Sequence, residues 1–161
     1  MNPWLFSFLV SLVLLVLLIN FEQIKMNLYG GIISAFFMQI ETILAEKLGL
    51  FEYNLVSLNM PDIFLFSDTV NIFFTGIAFN MGILAAAFHP RKMGFQLIHG
   101  FLWSLFLVGF NVLADAFGLV DYIRFKPFFV VRQFLLFLFL AWMKNNFDLA
   151  GHRINSAERG E

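Results

Sequence analysis

The chain contains no cysteine. Disulfides, thiolate metal sites and cysteine nucleophiles are therefore excluded, and the redox compartment leaves no trace in the sequence. Charge is scarce as well. Asp, Glu, Lys and Arg make up 13% of the 161 residues, against roughly 25% in a water-soluble domain. A net charge of −1 supplies no basic footprint and argues against nucleic acid as a partner. No two of His89, His99 and His152 stand four apart around an acid, so the zinc-protease helix is absent. There is no P-loop, dinucleotide fingerprint or nucleophile elbow. No metal, cofactor or catalytic residue is expected.

What fills the chain instead is apolar. Hydrophobic residues reach 60%, and Phe occurs 24 times. A soluble domain of this length could not bury so much apolar surface, because much of its chain must face water. Lipid removes that constraint. The fold class expected is all-α: a polytopic membrane protein of the cell membrane with five transmembrane helices. Their expected limits are about 3–20, 27–51, 63–88, 93–120 and 127–144. The transmembrane domain then covers 1–147, and 148–161 reads as a flexible cytoplasmic tail. A cleaved signal peptide at the start is disfavoured, since "MNPW" has no basic residue and "INFEQIKMN" no A-x-A site. With the N-terminus outside, Lys25, Arg91, Lys92, Lys144, Arg153 and Arg159 fall inside. Only Lys47, Arg124 and Lys126 then fall outside. The positive-inside rule thus selects N-out, C-in.

A twelve-residue phrase occurs twice. "TILAEKLGLFEY" at 42–53 returns as "NVLADAFGLVDY" at 111–122, an ungapped offset of 69. Gly49 meets Gly118, Tyr53 meets Tyr122, Glu46 meets Asp115 and Glu52 meets Asp121. Each copy ends a helix and is followed by a proline and another apolar helix. Two helical-hairpin repeats, about 27–88 and 93–147, are expected after an N-terminal helix. Both insert the same way up, related by an axis along the membrane normal. The glycines suit left-handed helix caps, and the tyrosines suit the interface. The first helix offers only Ser7 and Ser11 as polar groups and is expected at the periphery.

Polar residues recur on single helix faces. The expected seam comprises Gln39, Asn71, Thr75, Gln96, Ser104 and Asn111. Glu41, Glu46, Asp68, Asp115 and Arg132 form a candidate cluster of charges within the helices. Charges inside a membrane are functional candidates, and an acid without a partner there has a raised affinity for protons. Two readings follow: a structural ion-pair cluster, or an ion or ligand site.

The order of "EKLGLFEY", "FLFSD", "HP" and "LADAFGLVDYIRF" resembles that in a family of small, uncharacterised five-helix integral membrane proteins of spore-forming Firmicutes. The resemblance covers about residues 27 to 147. It implies a bacterial plasma-membrane location and brings no activity or site residue with it. The function expected is a non-enzymatic accessory, scaffold or sensor subunit. The alternatives are a small oligomeric transporter or channel with an outer acidic/Arg site, and a lipid-modifying membrane enzyme. The expected partners are the lipid bilayer and either another membrane protein or a second copy of this chain.

Overall fold

A computed structural model describes residues 3–49, 52–53, 65–67, 70–90, 92–116, 120–121 and 128–158. The side chains of Glu46, Asn71, Asn111 and Asp115 and the whole of Asp68 lie outside the described set. The architecture is all-α. Helices α1 (Pro3–Leu18), α2 (Phe21–Met26), α3 (Leu28–Lys47), α4 (Ile72–Ala87), α5 (Met93–Ala116) and α6 (Phe128–Glu158) account for nearly all of it. Strand pairs of two or three residues complete it: β1 (Glu52–Tyr53) with β4 (Val120–Asp121), and β2 (Leu65–Ser67) with β3 (Val70–Asn71).

Several expected limits are corrected. The helix expected over 63–88 begins only at Ile72, because residues 65–67 and 70–71 pair as a small antiparallel hairpin. Phe66 and Val70 favour extended backbone. The helix expected over 27–51 stops at Lys47, where Gly49 takes a left-handed φ of 61° and caps it. The fourth expected helix stops at Ala116 rather than 120, and the first at Leu18 rather than 20. The last helix runs to Glu158 instead of 144, so the expected flexible tail is largely helix. Gly151 costs that extension about 1 kcal/mol, and no proline interrupts it. The short α2 was not expected; Asn20 and Gln23 form a reciprocal capping box that starts it.

Helix α4 is the central element. Phe74, Ile77, Asn80, Gly82, Ile83, Leu84, Ala85 and Ala86 are all buried along it. Against one side lies α3, at a crossing built from small residues. A Cβ at Gly30 would stand 2.6 Å from the Gly82 carbonyl oxygen and 2.7 Å from the Ala86 Cβ. A Cβ at Gly82 would strike the Gly30 carbonyl and the Ser34 side chain. Glycine at both positions lets the two backbones touch. Against another side lies α1. There Trp4 meets Phe74 edge-on at 5.5 Å, and the Asn80 amide donates to Ser11 Oγ at 2.9 Å. The Phe8 ring occupies the space a Cβ on Gly76 would fill. The first helix is thus exposed on its outer faces, with one face anchored by Trp4, Ser11 and Leu15, and Ile19 is buried just after its end.

Helices α5 and α6 form the second hairpin and meet the first through Ala85, Leu136, Phe137 and Leu140. The surface is unusual in sign. On α1, Val13, Val16, Leu17 and Leu18 face outward, as do Ile32, Phe36 and Leu44 on α3. The same holds for Phe101, Leu102 and Leu105 on α5, and for Leu135, Phe139 and Trp142 on α6. Among the described residues no helix is long and apolar enough to cross a membrane.

The crossing yields a testable contrast. Gly82→Ala is expected to destabilise the bundle by about 1–3 kcal/mol through overpacking. Gly109→Ala, at an exposed site with nothing within 4 Å, is expected to stabilise it by up to ~1 kcal/mol through helix propensity. Denaturant titration of the two variants decides. Equal effects at both positions would remove the argument for close contact.

Candidate functional site

Buried positions on α3 recur at Ser34, Met38, Glu41 and Thr42, one face of a helix. On α6 the corresponding face carries Gln133, Leu136, Phe137, Leu140 and Ala141, with Arg132 beside it. The two faces meet at a polar junction. Arg132 Nη2 forms an ion pair with Glu41 Oε1, and the side chains are 17% and 6% exposed. Gln133 Nε2 donates to the other carboxylate oxygen, Oε2, at 3.3 Å, and lies 3.6 Å from Met38 Sδ. Both oxygens of Glu41 are therefore engaged by α6. A carboxylate this far from water needs a counter-charge and hydrogen-bond donors, and it has both.

Of the expected charge cluster, the structure brings Glu41 and Arg132 together, 91 positions apart in sequence. The side chains of Glu46 and Asp115, and Asp68 altogether, lie outside the described residues. Of the expected seam, Gln39 Nε2 donates to Thr75 Oγ1, tying α3 to α4. Ser104 is fully buried and donates to the Gly100 carbonyl of its own helix at 2.7 Å. Gln96 contacts the Pro90 carbonyl at 3.1 Å and exchanges bonds of 3.3 and 3.4 Å with Asn145. The side chains of Asn71 and Asn111 fall outside the described set.

Sequence reasoning missed Gln133, Asn80 and Thr42, all buried. The signal for the first two was a lone amide inside an apolar run, "VVRQFLL" and "IAFNMGI". A buried amide requires a partner on another helix. Thr42 donates to the Met38 carbonyl at 2.8 Å, a bond within its own helix that no pattern announces.

A second junction lies at the opposite end of the bundle. The last carbonyls of a helix have no partner within it. Here the Lys144 ammonium donates to the Ala86 carbonyl at 2.6 Å. His99 Nε2 faces the Ala85 carbonyl at 3.0 Å, which requires the proton on that nitrogen. The end of α4 is thus capped by side chains of α6 and α5, and a cation suits its negative pole. His89 and His99 stack edge-on at 5.6 Å. Among the described residues no group of three His, Asp or Glu could hold a metal ion.

Between the junctions an apolar groove of about 180 Å³ opens beside α1, α3, α4, α5 and α6. Its lining includes Phe6, Phe74, Phe106, Phe110 and Phe137, with Ser34 among them.

Comparison with family models, with curated proteins and with solved structures finds no match.

The Glu41–Arg132 junction predicts a double-mutant cycle. Glu41→Met or Arg132→Met alone leaves one charge buried and is expected to destabilise by about 3–5 kcal/mol. The double variant is expected to recover most of that loss. Equilibrium unfolding of the four proteins measures the coupling, and strictly additive losses would mean the two side chains do not act as a pair.

Proposed function

We propose that this chain is a multi-pass integral membrane protein that acts as a non-enzymatic accessory or scaffold subunit. The observation that carries the reading is the pairing of large apolar side chains exposed along α1, α3, α5 and α6 with polar side chains, Asn80, Gln96, Gln133 and the Glu41 carboxylate among them, buried within the apolar core. In lipid that arrangement is favourable, since apolar faces need no cover and polar groups must be satisfied within the bundle. Helix α5, at 24 residues, extends ~36 Å at 1.5 Å per residue, beyond a hydrocarbon core of about 30 Å. Residues 97–114 hold no Asp, Glu, Lys or Arg. In this reading α1, α3, α4, α5 and α6 are the five spans; α1 and α4, at 16 residues each, reach ~24 Å, so the bilayer thins around them. Helix α2 lies at the inner interface with Lys25 over the Phe21 ring.

The strand register supports the two-repeat reading. Glu52 pairs with Asp121, its own counterpart in the repeated phrase, and α3 and α5 end at the matching positions Lys47 and Ala116. In an antiparallel ladder a residue opposite its own counterpart lies on a local two-fold axis perpendicular to the strands. An axis along the membrane normal would run that way, with the strands flat at the outer surface.

The described polar groups favour a scaffold over a transporter. Glu41 is neutralised by Arg132, Gln39 is engaged with Thr75, and Ser104 with its own helix. The groove beside them is apolar. The first two contacts hold helices together, the third closes within α5, and among the described residues none forms a hydrated line of ligands. Saturable proton or cation flux into vesicles containing the purified protein, absent from empty vesicles, would overturn this in favour of a small transporter.

The cysteine-free chain makes the topology measurable, because each introduced thiol reports alone. Lys47→Cys is expected to react with an impermeant maleimide in intact cells. Lys25→Cys and Lys92→Cys are expected to react only after permeabilisation. The reverse pattern would invert the orientation, and release of the protein by alkaline washing would end the membrane reading.

A further inference from the structure

Helix α5 packs chiefly on α6, and its inward side carries Gln96, Gly100 and Ser104, all buried. The opposite side is open. Ile98, Leu102, Leu105, Gly109, Val112 and Ala116 are exposed there, at alternating spacings of four and three. At 3.6 residues per turn these positions fall within an arc of about 80°. No side chain in the row is polar or charged.

Contact with lipid does not account for the row. Gly109 stands near its middle, with nothing within 4 Å of where a Cβ would lie. Glycine is the poorest helix residue after proline, and no contact within this chain asks for it here. In the two-repeat alignment its counterpart is Ile40, exposed on α3 together with Ile32 and Phe36. The first hairpin thus presents a large side chain at the position where the second presents a glycine. On a membrane helix, glycine lets a second backbone come close, as Gly30 and Gly82 do inside this bundle.

The row itself constrains what covers it. Spacings of four and three keep one line of residues facing a helix that crosses at a shallow angle, the left-handed packing common in membranes. With no charge or amide to match, the row selects its partner by shape. Two copies of this chain enter a bilayer the same way up. Their α5 helices then lie parallel about an axis along the membrane normal, and each residue of the row meets its own counterpart. Helix α5 has 24 residues, which makes it ~36 Å long and ~12 Å wide with side chains. Pairing two such faces covers on the order of 900 Å² in total, near the ~1,000 Å² at which specific interfaces begin. Copies held in one bilayer already share an orientation, which lowers the cost of association.

We propose that the outer face of α5 is a homodimer surface, with Leu105 and Gly109 at its centre meeting the same two residues of a second copy. The inference rests on the membrane reading above and names the partner that the scaffold holds.

The test uses the full chain in membranes. Because it lacks cysteine, an introduced thiol can form a disulfide only with its own counterpart in another copy. Copper phenanthroline supplies the oxidant, and dimer is read on a non-reducing gel. A disulfide needs Cα atoms within ~7 Å, so the yield reports proximity. Leu102→Cys, Leu105→Cys and Val112→Cys are expected to give about fivefold more dimer than Leu97→Cys and Phe106→Cys, on other sides of the same helix, or Phe36→Cys on α3. Leu97, Phe106 and Phe36 are 44%, 51% and 68% exposed, so accessibility alone predicts no such contrast. Gly109→Leu, placed in the Leu105→Cys background, is expected to lower the yield about fivefold by holding the backbones apart. Leucine is a good helix former, so α5 itself survives the change. Yields that follow exposure, with Phe36→Cys highest, report random collision and overturn the proposal. So does a maximum on another face, indifference to Gly109→Leu, or the absence of dimer at every position in a protein that resists alkaline washing. Release by alkaline washing instead fails the membrane reading, and the two failures are thereby separated.

Discussion

The bond between Glu41 and Arg132 joins parts of the chain that otherwise share little. Helices α3 and α4 are welded along their length by the Gly30–Gly82 crossing, and α5 and α6 pack as a second unit. Between the units the contact is narrower: an apolar patch around Ala85, Leu136, Phe137 and Leu140, with a polar junction at each end. At one end Glu41 receives Arg132 and Gln133. At the other, the last carbonyls of α4 receive Lys144 and His99. Each junction satisfies groups that would be expensive to bury alone, so separating the units would expose a charge or an unpaired helix end as well as apolar surface.

The polar residues inside the bundle and the apolar residues outside it are two sides of one constraint. A hydrophobic surface gives the helices no reason to associate when the surroundings are equally apolar. In the lipid setting proposed above, association depends on close backbone approach and on interhelical hydrogen bonds. Both occur here: glycines where α3 meets α4, and Gln39–Thr75, Asn80–Ser11 and Gln96–Asn145 where side chains cross between helices.

The helical class and the approximate positions of the long helices were legible because they rest on local runs of apolar residues. Gly49 was legible as a cap because only the residue itself is needed to allow its φ. Pairing was less so. Arg132 had several acids within plausible reach, and the choice of Glu41 depends on how α3 and α6 cross, which no local pattern records. Gln133 is masked in the sequence by its neighbour Arg132, whose charge is the stronger signal. The start of α4 is hidden for a related reason: "LFSDTVN" is apolar enough to read as helix, and the antiparallel pairing of 65–67 with 70–71 is decided by contacts between the two strands. At the other end the polar composition of 148–158 suggested an irregular tail, yet nothing in it forbids helix once α6 is already nucleated.

The two polar junctions have a mechanical consequence. A body fixed at two separated points can turn only about the line joining them. The hairpins, clasped near Glu41 at one end and near Ala86 at the other, are thereby prevented from sliding past one another or shearing, and a rocking motion about that line remains. The phenylalanine-lined groove takes walls from both hairpins and from α1. Its width is therefore the dimension that such rocking changes most directly.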